Sequence, residues 1–413
     1  MLIRSLLLRA AHDGTILLKV RQRCSSVWRE THHCSALVYR EHSHDIDTVS
    51  TALRKQQKIL ACFPEEKLST LFLLFVNRWI NCWTLVKDLT DRWSFVFRME
   101  QLLLPPVKDG SVRVRMLAAP VNPADMNMIQ GSYQILCPLP AVGGNEGVGE
   151  VLEVGSDVTS LRPGDWVVPI DAGFGTWRTG AVCEEDELIS VPKDISLLGA
   201  ATVSVNPCTA YRMLHDFQTL TPGCTVIQNA ANSAVGQAVI QIAAALGLKT
   251  INIIRDRPNC AELIDELQSL GADYVITEEE VMSSGFHRVF EEVPKPKLGL
   301  NCVGGLSGGL VLSNLDYGGT MVTYGGMAKR PLQIPAKSFI FHNVTLKGFW
   351  LTKWKRRHRE DKAQLKAMLD AVCDLMRAGQ LSTPHCVQTP FQHYTHALRA
   401  TVQSHRRKHV LIM

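Results

Sequence analysis

Arg255-Asp256-Arg257 is the stretch whose residue types point most directly to chemistry. It stands about 20 residues beyond a turn-forming run, the separation at which a dinucleotide-binding unit addresses the ribose of its ligand. A lone Asp or Glu there would hydrogen-bond a 2′-hydroxyl. Two guanidiniums instead suit a 2′-phosphate, which they can hold by charge-assisted, often bidentate hydrogen bonds. The pair therefore points to NADP(H), with the Asp256 carboxylate directed elsewhere. A solvated charged turn is the alternative.

The element that must position these residues is CTVIQNAANSAVGQAVIQIAAALGLKTINIIRDR, residues 224–257. Residues 225–228 read as a buried strand with β-branched side chains. Residues 235–246 are apolar and Ala-rich, too long for a strand, and closed by Gly247 at a C-cap position. Residues 249–255 read as a second strand. In such a βαβ unit a pyrophosphate rests on the helix N-terminus. The glycine fingerprint is degraded: Gly236 remains, while Asn232, Ser233 and Ala234, followed by Val235, fill the turn. Alone it is a weak motif.

The chain of 413 residues is long enough for two domains with real cores. A net charge of +5 is too small to argue for nucleic acid. Twelve scattered cysteines form no CxxC pair and no metal-ligand spacing, which reads as free thiols in a reducing compartment. Residues 1–30 carry Arg4, Arg9, Arg21, Arg23 and Arg29 interleaved with leucines. That is the amphipathic, acid-poor pattern of an organellar presequence. The stretch 68–86, LSTLFLLFVNRWINCWTLV, is apolar, but Asn77, Arg78 and Asn81 interrupt it. We expect no membrane span.

Residues 35–40 read as a first strand. From residue 111 onward, short strands alternate with Gly/Pro turns: 112–116, 148–154, a strand up to Pro169, 173–181 and 187–191. This suits a barrel-like lobe. A short helical stretch follows the turn at residue 118. Residues 192–220 read as helical, with Asn206 just ahead of a helix as its N-cap. After the βαβ unit, helix and strand keep alternating: helix 259–270, strand 274–277, mostly helix over 278–292, then strands 298–303, 319–324 and 343–350. About six such strands imply a doubly wound parallel sheet, with its ligand off the carboxyl ends of the strands. An amphipathic helix over 361–378 and a strand over 410–413 close the chain.

A small-strand lobe, then VNPCTAY, then a Rossmann unit resembles the medium-chain dehydrogenase/reductase superfamily. NPADMNMIQGSY, VGGNEGVG, GTWRT, VNPCTAYRML, LNCVGG, MVTYGGM and LKGFW resemble its zinc-free mitochondrial trans-2-enoyl-CoA reductase family over about residues 31–47 and 102–413. The resemblance implies an α/β fold: a presequence over 1–30, a GroES-like catalytic lobe over 31–204, a Rossmann domain over 205–350, and a segment 351–413 returning to the lobe. It also implies a mitochondrial matrix enzyme that uses NADPH to reduce enoyl thioesters carried on CoA or acyl carrier protein, in fatty acid synthesis, as a homodimer. An NADPH:quinone reductase and an inactive isoform acting as an interaction protein are the alternatives.

Carried over residue by residue, the family pattern makes Tyr133 of Gly131-Ser132-Tyr133 the proton donor. It places Asn206 at the nicotinamide. The cofactor turn is Asn232, Ser233, Ala234 and Val235, and Arg255, Asp256 and Arg257 flank the adenosine phosphate. Tyr324, Gly325, Gly326 and Met327, with Phe349, Trp350 and Leu351, close over nicotinamide and substrate. Lys408 lies near the cofactor, a solvated basic tail being the alternative. Zinc-using members carry Gly-His-Glu where this chain has Gly144-Asn145-Glu146, so no metal is expected. Lys353, Lys355, Arg356 and Arg357 could face the phosphates of a thioester carrier or simply be a solvated face. Two departures stand out. Ala234 replaces a glycine, and about fifty residues, 48–100, are inserted where they would break up the lobe.

Overall fold

A computed structural model describes residues 33–40, 97–403 and 407–413. The presequence, the apolar stretch 68–86 and most of the expected insert lie outside the described residues. Among the described residues no helix is long and apolar enough to cross a membrane.

The strands in chain order are β1 (His33–Tyr39), β2 (Phe97–Leu103), β3 (Ser111–Pro120), β4 (Ala141–Val142), β5 (Val148–Val154), β6 (Trp166–Pro169), β7 (Gly180–Glu184), β8 (Leu188–Val191), β9 (Thr225–Asn229), β10 (Lys249–Ile254), β11 (Tyr274–Thr277), β12 (Leu298–Asn301), β13 (Thr320–Thr323), β14 (Thr345–Gly348), β15 (Cys386–Pro390) and β16 (Lys408–Ile412). Strands β9–β14 form one parallel sheet in the order β11-β10-β9-β12-β13-β14. The order reverses between β9 and β12, which opens a crevice at their carboxyl ends. Every residue of β9 is buried, as expected of a central parallel strand covered on both faces. The lobe is built on β15-β16-β3-β5-β6-β8, with β7 paired to β3 and a smaller sheet β2-β1-β4 beside it. One apolar core runs from Val148 and Val168 in the lobe through the helix Asn206–Asp216 to Val226 and Leu300 beneath the parallel sheet. The closing strand β16 pairs antiparallel with β3.

Several expectations are corrected. Residues 173–179 are turns, not strand, because Gly173 and Gly175 take φ of 91° and 78°. The helix over 278–292 breaks after Val281, where the Ser283 hydroxyl donates to the Glu280 carbonyl at 2.7 Å and competes with the helical ladder. Asn206 is the first helical residue rather than the cap. β15 and the helix Tyr394–Gln403 were not foreseen.

The insert does not break up the lobe. Residues 97–100, counted within it, belong to β2, which pairs antiparallel with β1 along its whole length, from His33↔Leu103 to Tyr39↔Phe97. Arg40 grips Glu100 through both carboxylate oxygens at 2.9 Å. The two ends of the extra segment are therefore neighbours, and the sheet is continuous past it.

Candidate active site

The carboxyl ends of the central strands are tied together by side-chain amides. Asn229 of β9 donates to Asn301 of β12 at 2.9 Å and accepts the Cys302 backbone N–H at 2.7 Å. Asn301 in turn donates to Thr323 of β13 at 3.1 Å. The lattice is buried, so the crevice floor is fixed before any ligand arrives. At its edge the chain turns through Ala230, with φ of 50°, into the helix Ala234–Ala245. The Ser233 hydroxyl caps that helix by accepting the Gly236 N–H at 3.1 Å. A Cβ at Gly236 would lie 2.4 Å from the Ala231 carbonyl oxygen, which is why this one glycine of the fingerprint remains. Ala234 sits inside the helix, where a methyl group is no burden.

Three clusters gather the residues singled out in the sequence. The first surrounds the βαβ turn. Arg255 and Asp256 are exposed at the tip of β10, and Arg257 is half-buried with its guanidinium 3.4 Å from Asn232 Oδ1. The Asp256 carboxylate accepts the Arg257 backbone N–H at 2.8 Å. Tyr324 follows β13. Its hydroxyl is buried beside Ser233 and the Cys302 thiol, with neither in good hydrogen-bond geometry. A weakly held hydroxyl beside a helix N-terminus fits a phosphate oxygen. Gly325 passes so close to Cys302 that a Cβ would meet its carbonyl oxygen at 2.7 Å, while Gly326 and Met327 are exposed.

The second cluster joins the lobe to the sheet. Trp350 Nε1 donates to the Tyr133 hydroxyl at 2.9 Å, with the rings edge-on at 5.9 Å. Burial pushes the Tyr133 phenol above its ordinary range, and the Trp350 hydrogen bond partly offsets this. The phenol is thus held protonated, and the Trp350 bond occupies only a lone pair, leaving O–H as a donor. Phe349 and Leu351 do not wall a pocket with their side chains. Both are buried in the main core, Phe349 edge-on to Phe217 at 5.7 Å.

The third cluster was only half visible in the sequence. Lys408 is not on a solvated tail: it opens β16, and its side chain is 7% exposed. Its ammonium donates to Asn122 Oδ1 at 2.6 Å and lies 3.7 Å from Glu146, which is fully buried. Asn122 Nδ2 donates to Glu146 at 2.8 Å, and Asn206 Nδ2 approaches Asn122 Oδ1 at 3.4 Å. The other Glu146 oxygen accepts the Val205 N–H at 2.8 Å. Asp125 beside them accepts the Asn122 N–H at 2.7 Å and both N–H groups of Asn145, backbone at 2.9 Å and side chain at 2.7 Å. Burial pushes its carboxyl up to about 7 against those hydrogen bonds. Gly144 admits the chain here with φ of 95° against Thr176 and Trp177. Asn122 and Asp125 announce a helix start in the sequence; the resemblance sets Asn122 or a neighbour where zinc-using members carry a cysteine and gives Asp125 no role.

This donor set does not fit zinc. The two amides are committed to hydrogen bonds, and an ammonium stands beside the one carboxylate facing them. The described residues contain no group of three His, Cys, Asp or Glu side chains able to hold a metal. Of the basic run, Arg356 pairs with Asp171 at 2.7 Å, and Lys355 is buried, its pKa lowered by burial.

A Rossmann sheet of this strand order joined to such a lobe, with a tyrosine held at the seam, defines a medium-chain dehydrogenase/reductase. Residues 108–200 match the alcohol dehydrogenase GroES-like domain and residues 234–371 the zinc-binding dehydrogenase model. The chain belongs to the mitochondrial enoyl-[acyl-carrier-protein] reductase family. It is 55% identical to the Xenopus tropicalis protein over 320 residues, 77% of this chain and 91% of that one. It is 57% identical to the human protein over 308 residues, covering 75% and 82%. A solved complex of Etr1p with NADP and crotonyl-CoA superposes at a TM-score of 0.75, with 30% identity over 92% of this chain and 100% of that one. The Etr1p/Etr2p heterodimer of Candida tropicalis superposes at 0.73, with 30% identity over 92% of this chain and 100% of that one.

Proposed function

We propose that this chain reduces trans-2-enoyl thioesters, carried on CoA or acyl carrier protein, to saturated acyl thioesters with NADPH, closing each cycle of mitochondrial fatty acid synthesis. The named relatives are mitochondrial enoyl reductases, and a structural neighbour holds NADP and crotonyl-CoA, which supports both the activity and the compartment. A quinone reductase is not favoured: the quinone reductase likeness rests on 23% identity and speaks for the fold alone.

The cofactor supplies a hydride for the β-carbon. Asn232, Ser233, Ala234, Val235 and Tyr324 hold its pyrophosphate, Arg255 and Arg257 its 2′-phosphate, and Asn206 its nicotinamide end. Gly325, Gly326 and Met327 close over it beside Trp350, while Phe349 and Leu351 contribute backbone and core support. Tyr133 gives its phenolic proton to the α-carbon, so that hydride and proton together saturate the C=C bond. The observation that carries this reading is the Trp350–Tyr133 bond, which fixes the oxygen of a protonated phenol and leaves its O–H to donate. Loss of crotonyl-CoA-dependent NADPH oxidation in Tyr133→Phe, with NADPH binding retained, is the expected result. An unchanged rate removes Tyr133 from the reaction.

The homodimer belongs to the same proposal. β14 is an edge strand, and Phe339, Ile340 and Phe341 beside it are 45%, 69% and 70% exposed. Two copies joined across β14 would cover both the open edge and this patch. Sedimentation of Ile340→Glu should show monomer where the parent chain shows dimer.

A further inference from the structure

We propose that Asn122 is a positioning residue that fixes which atom of the Asn206 side-chain amide faces the nicotinamide. This deepens the proposed function and rests on its reading of Asn206 as a nicotinamide contact.

The orientation follows from which groups can donate and which can accept. The Lys408 ammonium can only donate, and it reaches Asn122 at 2.6 Å. The Glu146 carboxylate, already accepting the Val205 N–H on one oxygen, accepts the Asn122 amide on the other at 2.8 Å. Turning Asn122 over would set NH2 against ammonium and carbonyl against carboxylate, so Oδ1 must face Lys408 and Nδ2 must face Glu146. A carbonyl oxygen has a second lone pair. The Asn206 atom facing it at 3.4 Å must then be the NH2 group. With its NH2 group turned to Asn122, Asn206 has its carbonyl oxygen left over for a ligand donor. Asn206 lines the same narrow cavity as Ala234 of the cofactor turn. Asn122 is 5% exposed, Glu146 is fully buried and the Lys408 side chain is 7% exposed, so water cannot readily substitute for a missing partner.

The consequence is a direction of recognition. A carbonyl at Asn206 accepts from the N–H of the nicotinamide carboxamide. Ligands that keep the carboxamide carbonyl but lack that N–H lose the contact and leave the half-buried Asn206 acceptor unmatched. Lys408 and Glu146 act through Asn122 and do not touch the ring.

The test is a fluorescence titration of NADPH and of the reduced 3-acetylpyridine analogue, whose methyl group replaces the carboxamide NH2, against four chains. The parent chain should prefer NADPH by about tenfold. Asn206→Ala should erase that preference and weaken NADPH by a similar factor. Asn122→Leu should also bring the two ligands to near parity, and the double variant should bind NADPH no more weakly than Asn206→Ala alone. If Asn122→Leu does not fold, Asn122→Ser, which withdraws the carbonyl from Asn206 but keeps a polar group in the cluster, should give the same parity. An unchanged preference in the Asn122 variants, or additive losses in the double variant, would overturn the proposal. If Asn206→Ala changes neither ligand, it is the nicotinamide reading of Asn206 that fails, a result distinct from the first two.

Discussion

The two ends proposed for the cofactor are built on opposite physical plans. At the adenosine end, consecutive residues 255–257 sit exposed or half-buried at the tip of β10, the Arg257 guanidinium 3.4 Å from Asn232 Oδ1. At the nicotinamide end, Asn122, Glu146, Asn206 and Lys408 come from distant parts of the chain and interlock by hydrogen bonds, with Tyr133 and Trp350 joined as a separate pair. Exposed charges attract a phosphate through a screened field and tolerate the loss of a neighbour. A buried network holds atoms in one direction only, and removing any member leaves its partners uncompensated. Affinity can therefore be spread over the outer end, while the geometry of hydride and proton delivery is confined to the inner one.

The contrast sharpens most at Lys408. Lys408→Met strands Glu146 in the interior and should destabilise the chain by about 3–5 kcal/mol, whereas Arg255→Ala should leave its melting unchanged. Paired thermal melts of the two variants check this, and equal melting temperatures would break the comparison. Next in size, Tyr133→Phe should cut kcat for crotonyl-CoA by roughly 10²-fold or more. The sign with pH follows from burial, which raises the phenol pKa. The donor stays protonated through the ordinary phenol range, so rates with the parent chain should decline only above it, and that limb should vanish from the Tyr133→Phe profile. Smaller again, Arg255→Ala and Arg257→Ala should each cost about tenfold in NADPH affinity while leaving NADH untouched. Raising the salt should narrow that gap, and it should leave the Tyr133→Phe defect as it was.

Asp125 supplies a subtler contrast. Its folded-state carboxyl lies at about 7, above the usual 3.8, with burial as the main cause. The folded state therefore binds the extra proton, and its contribution to stability is lost as pH rises from about 4 to about 7. The stability advantage of the parent chain over Asp125→Asn should shrink across that window. The smallest effect should come from the extra segment. Replacing residues 42–95 by a short turn joins ends that already pair at Tyr39↔Phe97, so reductase activity should change by less than about twofold. Loss of activity there would show that the inner end depends on that segment.

Residue types and spacing carried the fold of the outer end almost entirely. The strand, turn, helix and strand around residues 224–257 obey local periodicity, and a phosphate site on a helix N-terminus needs nothing beyond that unit. The alternation of helix and strand likewise fixed a doubly wound sheet. Tyr133 and Trp350 were named through family motifs, 217 positions apart with nothing local to join them. What only the tertiary structure decided was burial and partnership. It put Lys408 inside rather than on a basic tail, turned Phe349 and Leu351 into core, brought Asn122, Asp125 and Glu146 together beside Lys408, and showed that the insertion leaves the β1–β2 pairing intact. The physical reason is that a hydrogen bond between distant residues leaves no period in the sequence. Whether an amide or an ammonium meets water or a partner is settled only when the strands are stacked and the chain has returned through β16 to β3.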